Sequence, residues 1–201
     1  MSESLVYGIG HNDKRYITHV NNIHIHEYNL WCSMLVRCTE KCKIKNPTYI
    51  GTTCSENFKS YSYFYEWCNK QIGFGNKEVS GKCRYWQLDK DLLVKGNKFY
   101  SEDTCVFVPH KINTLFTKRD NYRGDFPVGV VLCKNSGKYV ARCSVGGVKQ
   151  HIGRYDKPVD AFLAYKSFKE SHIKLLANLY KDNLDKRAFD ALINYEVEIG
   201  D

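Results

Sequence analysis

The stretch from Leu88 to Asn113 constrains this chain's fold most. Leu88-Asp89-Lys90-Asp91-Leu92-Leu93 is followed by Tyr100-Ser101, then Cys105-Val106-Phe107-Val108-Pro109, then Ile112-Asn113. Two short apolar runs with a Gly96-Asn97 turn signal between them read as two strands. The sequence after Pro109 reads as a helix start, so the unit expected over about 85–117 is ββα. Such a unit sets an acidic residue and an amide on opposite walls of one small cleft. That cleft can hold a divalent metal against a phosphodiester.

At 201 residues the chain is long enough for one large domain or two small ones. Its apolar fraction of 43%, with 15 tyrosines and 10 phenylalanines, supplies aromatic cores. It has no apolar run long enough for a transmembrane helix, and its first residues lack the n-region and h-region of a signal peptide. Nine cysteines at irregular spacing are expected as reduced thiols in a cytoplasmic protein. Cys38-x3-Cys42 with Cys54 and Cys68 forms no CxxC pair, so a structural zinc site is not expected. His24 and His26 alternate and would share a strand face, most simply as exposed decoration.

Charge is concentrated. Residues 1–110 carry 14 basic and 11 acidic side chains, residues 111–154 carry 9 and 2, and residues 155–201 carry 7 and 9. The excess of the net +8 therefore sits just after the ββα candidate, the electrostatic footprint of a phosphate-backbone partner. A purely solvated basic face is the plain alternative.

The order of elements is that of an α+β chain. Asn21-Asn22 marks a hairpin between 14–20 and 23–28. Helices are expected over Glu27–Cys38 and from Ser55 to about Gln71, with 39–53 and 72–82 as loops. After 118–126, a charged connection, come three strands, Val128–Cys133, Lys138–Val145 and Val148–Arg154. A helix from Val159 to Tyr180 starts at Pro158, and a last helix covers about Asp185–Glu196. The expected division is 1–117, a linker at 118–127, and 128–201.

Taken in order, these features resemble a known family. Val6-Tyr7-Gly8-Ile9-Gly10, Trp31-Cys32-Ser33-Met34-Leu35, Pro47-Thr48-Tyr49, Leu88-Asp89-Lys90-Asp91, Phe107-Val108-Pro109, Ile112-Asn113, Gly129-Val130 and Ala164-Tyr165-Lys166 are similar to phage-type HNH (His-Me finger) endonucleases that carry a C-terminal AP2-like DNA-binding domain. The resemblance implies an endonuclease or nickase that hydrolyses DNA phosphodiester bonds with one divalent metal, Mg²⁺ or Mn²⁺. Asp89 matches the metal-binding acid at the end of the first strand, and Asn113 matches the metal ligand on the helix. The general-base histidine position holds Lys90, and the asparagine that orients the base falls at Thr104.

Lysine, with a pKa of about 10.4, is a poor base unless its environment lowers it by roughly three units. It can still stabilise charge at a phosphate. His110, three residues before Asn113, is a second candidate base. The implied C-terminal unit is a three-stranded antiparallel sheet on a helix. Alternation puts Lys138, Val140 and Arg142 on its DNA face, opposite Tyr139, Ala141 and Cys143. Lys149, His151 and Arg154 join that face from the third strand, and Arg119, Arg123 and Lys134 are expected at phosphates. The expected partner is double-stranded DNA, bound by a monomer in the cytoplasm, the host's if the chain is phage-encoded. The alternatives are a DNA-binding protein on a degenerate HNH scaffold, or an inhibitor of a host protein.

Overall fold

A computed structural model describes residues 5–78, 84–116 and 126–200. The chain is α+β and divides into two compact units. The first comprises 1–110 with 183–188, and the second 111–182 with 189–201. The expected division at 117 and 128 is thus displaced, with the second unit beginning at Lys111. Most of the expected linker, with Arg119 and Arg123, lies outside the described residues.

The first unit opens with a hairpin, β1 (His19–Val20) and β2 (Ile23–His24), then helix α1 (His26–Cys38). A short helix α2 (Glu40–Lys45) follows where a loop was expected. The Thr39 hydroxyl accepts the Cys42 N–H at 3.3 Å, and this cap starts the helix. After β3 (Thr53–Cys54), the single helix expected from Ser55 is two, α3 (Glu56–Lys59) and α4 (Tyr61–Lys70). The break has a backbone cause. His11 donates to the Lys59 carbonyl at 2.8 Å and accepts the Tyr61 N–H at 2.9 Å, so Ser60 is drawn into an extended bridge with His11. The Ser60 hydroxyl then caps α4 by accepting from Tyr63.

Apolar faces of α1 and α4 pack together around Trp31, Phe58, Tyr61, Phe64 and Trp67, all buried. The Trp31 indole N–H donates to the Phe58 carbonyl at 2.8 Å, so the largest core ring carries no unsatisfied donor. The region expected as a Gly-rich loop contains β4 (Lys77–Glu78), which pairs with β5 (Arg84–Tyr85). Then come β6 (Gln87–Asp89), β7 (Phe99–Tyr100), β8 (Val106–Val108) and α5 (His110–Asn113). β6 pairs antiparallel with β8 and β7 pairs parallel with β3. α5 follows the β6–β8 pair in sequence but spans the boundary, with His110 in the first unit and Lys111–Asn113 in the second, and β7 is looped out to the β3 strand.

The second unit is a three-stranded antiparallel sheet, β9 (Val130–Cys133), β10 (Lys138–Val145) and β11 (Val148–Tyr155), in the order β11-β10-β9. Helix α6 (Pro158–Tyr180) has Pro in its first turn and packs on one face of the sheet. Ala141 and Cys143 meet Ala161, Phe162 and Tyr165 there. A shorter helix, α7, covers Lys186–Ile193. Among the described residues no helix is long and apolar enough to cross a membrane.

The core of the second unit leaves no room at the start of β9. Gly129 has φ +77°, and a Cβ there would stand 2.1 Å from the Tyr165 ring. Gly129→Ala therefore combines a disfavoured backbone with overpacking of a buried aromatic. It is expected to cost about 2–4 kcal/mol, read as a lowered urea midpoint. An unchanged midpoint would show that the ring moves aside freely.

Candidate functional site

Two places carry the residues singled out by the sequence. In the first unit Asp89 ends β6 and is 6% exposed. One carboxylate oxygen, Oδ1, accepts the backbone N–H groups of Asp91 at 3.0 Å and Leu92 at 2.8 Å. It thereby closes the turn that leaves the strand. Burial, and then the neighbouring Asp91 carboxylate, push the Asp89 carboxyl up to about 6; the two backbone hydrogen bonds oppose them.

Lys90 is also buried, and its ammonium donates to the Asn97 carbonyl at 2.8 Å and to Asp91 Oδ2 at 3.3 Å. It lies 5.7 Å from the centroid of the Tyr100 ring. Asn97 answers reciprocally. Its Nδ2 donates to the carbonyls of Lys90 at 2.6 Å and Phe99 at 2.7 Å, and its Oδ1 accepts the Phe99 N–H at 3.0 Å. The expected orienting position, Thr104, has a different task. Its hydroxyl donates to the Phe99 carbonyl at 2.7 Å and accepts the Ser101 N–H at 3.1 Å. The amide that holds residue 90 is Asn97, a residue the sequence marks only as part of a turn.

This geometry gives Lys90 a structural task, because its nitrogen acts as a donor in both contacts. His110 is similarly employed. Its Nε2 lies 2.9 Å from an Arg84 guanidinium nitrogen and its Nδ1 lies 3.2 Å from Gln87 Oε1. A guanidinium only donates, so Nε2 accepts and Nδ1 carries the proton. The His110 lone pair is thus engaged with Arg84 in this structure. Asp89 belongs to the first unit and Asn113 to the second.

The Mg²⁺ or Mn²⁺ ion that the resemblance implies asks for several oxygen donors around one point. Asp89 has one oxygen committed to two backbone N–H groups, and among the described residues no group of three or more His, Cys, Asp or Glu side chains converges. The described cysteines are free thiols. The Cys38 thiol hydrogen-bonds Cys54, which raises Cys38 and lowers Cys54.

The second place is the sheet face opposite α6. Its residues form a shallow concavity lined by Cys133, Val140, Arg142, Lys149, Gln150, His151 and Arg154. Simple alternation cannot put Lys149, His151 and Arg154 together, since 154 differs in parity from the other two. The register resolves this. Ala141 pairs with Gly153 but Arg142 pairs with His151, so Ile152 is an extra residue in β11. This bulge re-phases the strand. Ile152 packs into the core, while His151 opposite Arg142, Lys149 opposite Ser144 and Arg154 opposite Val140 share one face.

Val140, 2% exposed, floors the concavity. Lys134 is exposed in the turn between β9 and β10. Lys138 meets Asp156 at 3.2 Å, an exposed ion pair of little energetic weight. Cys133 and Gln150 line the concavity without having been expected. Hydrogen bonds from Ser136 lower the Cys133 thiol. The bulge is defined by the register against β10, which alternation along β11 alone does not show.

The Asp89 carboxyl yields a pH prediction. The folded state holds its proton more tightly than the unfolded chain, whose aspartate titrates near 3.8. Stability from this group is therefore full at low pH and is lost as pH rises from about 4 to about 6. Asp89→Asn keeps an oxygen for both N–H groups and removes the buried charge. It is expected to be more stable than wild type by about 2–3 kcal/mol at about pH 7.5, with the difference vanishing near pH 4. Urea titrations at the two pH values check this; a variant less stable at the higher pH would refute it.

Comparison with known proteins gives no matching family model, no matching curated protein and no matching solved structure.

Proposed function

We propose that this chain binds double-stranded DNA through the outer face of the β9–β11 sheet. The proposal includes the ββα hairpin, with Asp89, Lys90 and Asn97, acting as a structural scaffold. One observation carries the reading. The bulge at Ile152 gathers Arg142, Lys149, His151 and Arg154 on one side of a sheet whose other side is sealed by α6. Such a face offers two guanidiniums able to make bidentate contacts with guanine edges or phosphates, and a lysine suited to phosphate. The three strands present these groups from a rigid platform, so little side-chain entropy is lost on binding beyond that of the long cationic chains themselves.

The second reading is an HNH-type endonuclease or nickase. It is favoured by the placement of Asp89 at the end of β6, in an antiparallel pair followed directly by α5. That is where the resemblance places a metal-binding acid. The engaged lone pair of His110 and the donor contacts of Lys90 count against it, because hydrolysis needs a group that takes a proton from the attacking water.

Fluorescence anisotropy of a labelled duplex at stepped salt concentrations tests the primary reading. Wild type should bind with affinity that falls linearly in log salt. Removal of a phosphate-contacting cation should reduce that slope by about 1. Arg142→Ala or Arg154→Ala at a base-reading position should cost about 1–3 kcal/mol and relax the sequence preference. Wild type that ignores duplex DNA, or an Arg142→Ala/Arg154→Ala double variant that binds unchanged, would overturn it. A plasmid assay with Mg²⁺ or Mn²⁺ decides between the readings. Metal-dependent nicking that disappears in Asp89→Ala while duplex binding persists would establish the nuclease.

A further inference from the structure

The β1–β2 hairpin holds a histidine pair that the DNA-binding reading does not use. Asn21 and Asn22 have φ of 50° and 61°, the backbone of a two-residue type I′ turn. That turn sets Val20 opposite Ile23 and His19 opposite His24. One step further, the Ile25 N–H donates to the Thr18 carbonyl at 3.0 Å. His19 and His24 therefore occupy a non-hydrogen-bonded pair, the kind in which facing side chains approach most closely. Their ring centroids lie 4.1 Å apart, with the planes inclined at 65°. Both residues are exposed.

The inner nitrogen of each ring is already held. His19 Nδ1 lies 2.7 Å from the Thr18 hydroxyl, and His24 Nδ1 lies 3.3 Å from Asn29 Oδ1. Asn29 Nδ2 donates to the His24 carbonyl at 3.1 Å, which turns the amide so that its oxygen faces the ring. An amide oxygen only accepts, so Nδ1 of His24 carries the hydrogen and Nε2 keeps its lone pair. The Tyr28 ring stands edge-on to His24 at 4.9 Å and tilted to His19 at 5.9 Å, restricting rotation of both. An imidazole whose Nδ1–H is fixed by a neighbouring oxygen is oriented for metal ligation through Nε2.

We infer that His19 and His24 together chelate a first-row transition ion through their Nε2 atoms. Imidazole donors suit Cu²⁺, Ni²⁺ and Zn²⁺, whereas Mg²⁺ and Ca²⁺ take oxygen ligands. Two protein ligands leave the remaining positions to water. The pairing differs from the one that alternation suggests. His26 starts α1 rather than extending β2, and it stacks on Phe74 and Tyr85 with its Nε2 buried. Neither that nitrogen nor the Arg84-bound Nε2 of His110 competes for the ion.

Calorimetric titration of the full-length protein with CuCl2 or NiCl2, beside electron paramagnetic resonance of the copper form, tests this. Wild type should bind one equivalent with nitrogen hyperfine structure in the copper spectrum. That equivalent should be lost in His19→Thr and in His24→Thr, substitutions that keep a strand-favouring residue in the hairpin. Asn29→Ala should retain the site with affinity weakened about 10–100-fold, since the ring loses its orienting oxygen. His172→Ala should bind as wild type does. Equal stoichiometry and affinity in wild type and the His19→Thr/His24→Thr double variant, with circular dichroism showing both folded, would overturn the inference. So would a copper spectrum without nitrogen coupling.

Discussion

One extra residue in β11 governs the chemistry of the second unit. A strand of strict alternation would send Arg154 to one side and His151 and Lys149 to the other. The basic groups would then be divided between solvent and the α6 interface, where a cation would lose its hydration without a partner. Ile152 absorbs the mismatch because it is apolar and turns into the core among Phe162, Tyr165 and their neighbours. Gly153 beside it has no Cβ where one would stand 2.7 Å from the Tyr155 hydroxyl. At the bulge the sequence places an apolar residue followed by glycine. Electrostatic character on one face and packing on the other are set by the same local irregularity.

In the first unit the corresponding constraint is the clasp around residue 90. Lys90 gives its ammonium to the Asn97 carbonyl, and Asn97 gives its amide to the Lys90 carbonyl. Asp89 meanwhile caps the turn at Asp91 and Leu92. The Tyr100 ring beneath Lys90 has its hydroxyl bonded by Arg37 at 3.0 Å. These bonds close the excursion between β6 and β7, beside the buried Leu92, and they occur where the backbone would otherwise leave donors and acceptors unmet. A histidine at position 90 has too short a side chain to reach the Asn97 carbonyl in the same way. The departure at that position therefore alters the loop's internal bonding as well as the available proton acceptor.

Much of the fold was legible because it rests on local signals. The Asn21-Asn22 turn, the Pro158 helix start and the alternation of β10 are read directly from residue types, and the β1–β2 hairpin and α6 stand where those signals place them. The failures were non-local. Nothing near Ser60 announces that His11 bridges to it and splits the helix. Thr39 could be read as a cap only by trusting a six-residue helix in a polar stretch. The site divides in the same way. Arg142 and Lys138 follow from alternation within one strand. The grouping of His151 with Arg154 depends on a bulge defined by the partner strand, and the role of Asn97 on a contact seven residues back. The resemblance places the base-orienting position at Thr104, whereas the side-chain amide bonded to residue 90 is that of Asn97.

The two units consequently differ in what their charged residues do. In the sheet, Arg142, Lys149 and Arg154 are exposed cations lining the concavity, and the Lys138–Asp156 pair sits at the strand ends, beyond it. Charge presented this way acts at a distance and favours polyanions through counterion release. In the hairpin, Asp89 and Lys90 are buried, Asp89 accepting from two backbone N–H groups and Lys90 donating to the Asn97 carbonyl and to the exposed Asp91. A catalytic carboxylate needs an open coordination face or an accessible proton, and a catalytic base needs a free lone pair. The first unit uses these groups to hold a turn. That contrast, rather than the net charge of the chain, is why we propose binding at the sheet and a scaffolding role for the hairpin.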